Sequence, residues 1–136
     1  MIKIFRESKT DIYMHFDSDG NDELISAFTK IFKGQPCKLD VIFDLSVIKI
    51  KKKTTKLINA TIILKIDNSV DYSLFIKSEE DEKIIWVMDE DDADYGLEAF
   101  TDCKKSGSFF PSEFIRFKMP KNKNIDDMYC QLYDVI

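Results

Sequence analysis

At 136 residues the chain has room for one compact domain, residues 1–136, and not for two independent cores. Apolar residues make up 44% and charged residues 33%, a balance that fills a core and solvates a surface, which excludes global disorder. A net charge of −5 opposes association with a polyanion, and only 4 Gly and 3 Pro exclude collagen-like or linker-rich architectures.

The opening residues Met1–Ser8 carry charges too early for a signal peptide, and the longest apolar runs hold about five residues against the ~20 of a bilayer span. A cytoplasmic protein with no membrane partner is therefore expected. Cys37, Cys103 and Cys130 are odd in number and widely spaced, which suits neither a disulfide framework nor a zinc site and implies reduced, buried thiols.

Ile2–Phe5 and Ile12–Phe16 read as two short strands joined by a polar turn. Leu24, Phe28, Ile31 and Phe32 then form one apolar stripe at helical spacing. Asp19 or Asn21 suits the helix start, Gly34 the left-handed exit, and Pro36 stops continuation. Leu39, Val41, Phe43, Leu45 and Val47 alternate, and the phase slips at Ile48 and Ile50, so a bulge or bend near Ser46 is expected. Ile58–Ile66 alternates next. Val70, Tyr72, Leu74 and Ile76 form a further alternating run after the Asp67-Asn68-Ser69 turn, and Ile84–Met88 follows. A helix over 91–105 has acidic residues in its first turn and Gly107 at its end. Phe114–Met119 reads as a strand, whereas 125–136 fits helix and strand periodicity alike. This order predicts an α+β fold, a mostly antiparallel sheet with two or three helices packed on one face.

Motifs for chemistry are missing. Asp17–Glu23 and Asp89–Asp94 each offer spaced carboxylates, but neither satisfies a calcium loop, since His15 and Ser26 or Asp94 fall at obligatory positions; a turn and a helix cap explain them. His15, the sole histidine, has no nucleophile elbow to serve. The four glycines stand apart, so neither a dinucleotide fingerprint nor a P-loop is present. No catalytic residue, metal ligand or cofactor is assigned. Lys49, Lys51, Lys52, Lys53 and Lys56 form a basic block, but with 2 Arg in the chain a lysine-bearing hairpin tip is a better reading than direct nucleic-acid recognition.

Charge asymmetry is the informative feature. From Glu79 to Asp102 there are eleven carboxylates and one lysine, a charge of −10 within a chain of −5, which leaves +5 for the remainder. Such crowding costs stability unless a partner or a nearby basic patch compensates it, and two readings stand: a solubilising surface, or an acidic docking face for a basic protein. In size, acidity and lack of catalytic motifs the chain resembles bacterial toxin-immunity proteins, including those of contact-dependent growth inhibition. That resemblance implies a partner that is a cognate basic toxin domain, often a nuclease, whose active site the acidic face would cover. The candidate contact residues are Trp86, Asp89, Glu90, Asp91, Asp92, Asp94, Tyr95 and Glu98, the rings as anchors and the carboxylates as the charged field, with a place in the core as the equal alternative for Trp86. Two other classes stay open: a regulatory or structural accessory subunit, marked by self-association, and an enzyme or small-ligand binder with an unmotifed pocket.

Overall fold

The computed structural model describes residues 1–48, 56–78, 83–120 and 123–133. Eight strands and two α-helices follow in the order β1 (Ile2–Arg6), β2 (Asp11–Phe16), α1 (Ser18–Phe32), β3 (Lys38–Asp44), β4 (Leu57–Ile66), β5 (Leu74–Lys77), β6 (Lys83–Met88), α2 (Glu90–Ser106), β7 (Glu113–Phe117) and β8 (Asp126–Leu132). A 3-10 turn at Leu45–Val47 leaves β3.

All eight strands belong to one sheet of order β5-β6-β4-β3-β1-β2-β8-β7. The expected mostly antiparallel sheet with helices on one face is not what forms. Three of the pairings, β1/β3, β2/β8 and β4/β6, are parallel, so the sheet is mixed. Its two ends also meet: Ser73 bridges Phe117, with Ser73 N–H donating to the Arg116 carbonyl at 3.1 Å and Lys118 N–H to the Ser73 carbonyl at 3.0 Å. The sheet thus curls into a nearly closed barrel, which leaves few unpaired edge groups. Alternating sequence patterns fix which residues face inward but not which strand lies alongside which, and that is why the parallel pairs were invisible.

The topology is twofold. β1-β2-α1-β3-β4 and β5-β6-α2-β7-β8 repeat one ββαββ path, and the strand order maps onto itself when the halves are exchanged. Each helix is capped by the aspartate that follows a strand, Asp17 after Phe16 and Asp89 after Met88, each accepting from the N–H three residues on. Asp17, not Asp19 or Asn21, holds the first cap; Asn21 is buried and donates to the Phe100 carbonyl, tying α1 to α2. Phe28 and Phe100 each lie eleven residues beyond their cap, and their rings meet edge to face at 5.3 Å. Gly96 makes this contact possible, because a Cβ there would fall 2.3 Å from the Phe28 ring.

Buried faces of both helices join the inward-facing strand residues in a single apolar cluster. Gly34 and Gly107 exit the helices with φ of 67° and 81°, as their sequence positions indicate. The bulge or bend expected near Ser46 is a 3-10 turn, with Asp44 accepting from Ser46 N–H, and Ile50 lies outside the described residues. In β5 the inward residue is Phe75, stacked on Phe117 at 4.8 Å, and not Leu74 or Ile76, so the anticipated face is inverted. The C-terminal segment is a strand over Asp126–Leu132, pairing in register with β2. No helix among the described residues is long and apolar enough to cross a membrane.

Candidate docking groove

Where the two ends of the sheet meet, a groove of about 640 Å³ opens between the Asp71-Tyr72-Ser73 segment, the first two turns of α2 and the start of β7. Its carboxylates are Asp71, Asp91, Asp92 and Glu113, and its aromatic walls are Tyr72, Tyr95 and Phe114. Arg116 is the one cation among the residues lining it.

The helix start is built to hold this charge. Asp89 accepts from Asp92 N–H at 2.8 Å, and Asn68 Oδ1 accepts from Glu90 N–H at 2.8 Å, so two otherwise unpaired amide donors are satisfied. Asp91 and Glu90, exposed in the first turn, face the positive end of the helix dipole. Asp92 is half-buried and accepts from the Ser73 hydroxyl at 2.9 Å. Burial pushes its carboxyl above the usual range; the Ser73 hydrogen bond opposes this, while Asp89 and Asp91 add to it. The groove therefore holds a carboxylate whose charged form a cation would stabilise.

Tyr95, 41% exposed, stacks on Phe114 at 5.7 Å, so its ring is held against the wall with one face toward solvent. Just before Pro111, which lines the groove, Phe110 stands 91% exposed.

Of the residues singled out from sequence, Asp91, Asp92 and Tyr95 line the groove. Asp94 and Glu98 are exposed on α2, and Glu90 and Asp89 sit at its start, outside the lining. Trp86 is not a surface anchor. It is fully buried, with Phe28, Phe75 and Phe117 around it at 5.7, 5.4 and 5.8 Å. The carboxylates at 79–82 and the lysines at 49–53 lie outside the described residues. Sequence reading missed Asp71, Tyr72, Glu113, Phe114 and Arg116. No local signal marks them, because only the meeting of β5 and β7 brings these segments to α2. The three cysteines are buried and free. Among the described residues no group of three or more metal-binding side chains is assembled. No protein-family model, curated protein or solved structure matches this chain.

Proposed function

We propose that this protein is a binding module of the toxin-immunity kind, in which the groove beside α2 docks a basic face of a partner protein and blocks it. The observation that carries the reading is the convergence of Asp71, Asp91, Asp92 and Glu113, from three separate chain segments, around Tyr72, Tyr95 and Phe114. Carboxylates from one helix start are explained by capping and the dipole; carboxylates delivered from two further segments to the same groove are not. Such a field raises the association rate of a basic partner and rejects acidic ones, while the rings supply buried contact area. Obstruction of a toxin's substrate cleft is the action this geometry suits, since the groove offers charge and shape but no nucleophile–base pair.

The test is capture from host lysate by the wild-type chain and by an Asp71→Lys/Asp91→Lys/Glu113→Lys variant, at low and high salt. Retention of one basic protein by the wild type, weakened by salt and lost in a folded variant, is expected. Co-expression should then show that the same variant no longer suppresses that protein's toxicity. A partner held equally by both chains, or a captured protein without toxicity to suppress, would overturn the reading.

A further inference from the structure

On the outer surface of the barrel, β1, β2 and β8 carry a strip of half-buried rings. Phe5 lies opposite Tyr13, Tyr13 opposite Tyr129, and Tyr129 opposite Glu113 of β7, one row across four strands. Phe5 and Tyr13 stack at 5.5 Å, and Tyr13 and Tyr129 stack at 5.6 Å. His15 and Tyr133 extend the strip, their rings 4.6 Å apart. Rings stacked in this way along a row are fixed in orientation and present a surface rather than isolated side chains. The row ends on Glu113, which also lines the groove beside α2, so this residue is common to strip and groove.

The charges around the strip are mainly acidic. Burial comes first in holding the Tyr13 and Tyr129 phenols protonated; Asp11 and Glu7 add to it at Tyr13, and Asp11, Asp127 and Glu113 at Tyr129. The cations nearby are Lys3, whose ammonium lies 5.0 Å from the centre of the Phe5 ring, and Arg116, 3.6 Å from Asp127. The Lys3 contact shows a ring of this strip already accepting a cation over its face.

We infer that the Phe5–Tyr13–Tyr129 strip is the second part of the docking surface and seats arginine side chains of an extended basic segment of the partner. Guanidinium planes stack on ring faces and fork to carboxylates at once, which a lysine ammonium cannot do. Here the ring is Tyr129, at the end of the stack, and the carboxylates are Asp11, Asp127 and Glu113. This assignment rests on the reading of the groove as a site for a basic partner, and specifies that partner's chemistry as arginine rather than lysine.

Hexa-arginine and hexa-lysine peptides are the probes, titrated calorimetrically into the full chain at low ionic strength. The wild type is expected to bind hexa-arginine about tenfold more tightly than hexa-lysine, the gain of a guanidinium that stacks and forks at once. Tyr13→Leu/Tyr129→Leu should bring that ratio close to one, and Tyr13→Phe/Tyr129→Phe should keep it. An Asp71→Lys/Asp91→Lys groove variant should weaken both peptides and leave the ratio alone, so failure of the groove and failure of the strip read out separately. A wild-type ratio near one, or a ratio indifferent to the leucine pair, overturns the strip. If the leucine pair does not fold, the ring resonances of Tyr13 and Tyr129 in the wild type decide: hexa-arginine must shift them, and unshifted rings overturn the assignment. Self-association of the wild type that the leucine pair abolishes would assign the strip to a second copy of this chain and overturn it as well.

Discussion

Replacing Arg6 by methionine is expected to be the most damaging single change at the β1–β2 turn end of the barrel. Arg6 and Asp126 form an ion pair at 2.9 Å with side chains only 5% and 0% exposed. The same guanidinium donates to the carbonyls of Lys9, Ser46 and Val47 at 2.9 to 3.2 Å, joining the β1–β2 turn to the chain leaving β3. The aliphatic stem survives in methionine, so packing changes little. What remains is a buried Asp126 without its cation, and its Oδ1 already has no partner. Leaving a buried charge uncompensated costs about 3–5 kcal/mol. Asp126→Asn keeps the shape and leaves Arg6 its carbonyl acceptors, so about 1–2 kcal/mol is expected. Urea unfolding followed by circular dichroism gives both values, with the m-value unchanged if the folded state stays compact. The double change Arg6→Met/Asp126→Leu should recover much of the single Arg6→Met loss, because no buried charge is left. An Arg6→Met loss below about 1 kcal/mol, or an Asp126→Asn loss equal to it, would refute the argument that desolvated charge dominates here.

Gly96→Ala should destabilise by about 1–2 kcal/mol despite alanine's better helix propensity, since the new methyl meets the immobile Phe28 ring; stabilisation in a thermal melt would contradict the tight α1–α2 contact. Burial holds the His15 pKa below its ordinary 6.5, with Lys3 adding to this and Glu7 opposing it. The His15 contribution to stability is therefore complete above about pH 6.5 and lost as pH falls through the lower folded value. Stability of the wild type relative to His15→Phe should decline over that range, and a difference independent of pH would count against it. Burial also raises the thiol pKa of Cys37, Cys103 and Cys130, so a disulfide reagent should label none quickly in the folded chain and all three in denaturant. Trp86 emission should be blue-shifted and insensitive to hexa-arginine; a shift on binding would place the indole nearer the surface than the core packing allows.

Much of the local structure was legible because its causes are local. The Leu24, Phe28 and Ile31 stripe of α1 (Phe32, at its end, is exposed), the glycine exits and the acidic start of α2 depend on spacing and chain-end electrostatics within a turn or two. Pairing was not legible, because β2 finds β8 more than a hundred residues away and nothing in either strand names the other. Trp86 misled for a related reason. An indole three residues before a run of acids reads as an anchor only if the strand turns that face outward, and the register with Leu64 and Phe75 turns it inward. The groove shared this fate: its α2 side was visible as charge, while Asp71 and Glu113 arrive through the Ser73–Phe117 closure.

This division of origin separates carboxylates that hold the helix from those that would meet a partner. Asp89 spends its Oδ1 on Asp92 N–H, so its removal should act on folding. Asp89→Ala is expected to cost about 1 kcal/mol of stability, the usual value of an N-cap, and to change partner affinity little. Asp71 and Glu113 are exposed and lie off the helix, so charge reversal there should leave stability within about 0.5 kcal/mol. Partner association, by contrast, should slow, and its salt dependence should flatten. Asp92 belongs to both sets: the Ser73 hydrogen bond makes it structural, and its raised pKa makes it the carboxylate most relieved by an arriving cation. Asp92→Asn should therefore raise stability at neutral pH, where the group's charge opposes folding, while weakening capture of the partner. Stability and affinity moving in opposite directions at one position is the behaviour of a residue strained for binding. If both fall together, Asp92 is a structural ligand of Ser73, and the groove's charge is only that of a well-capped helix.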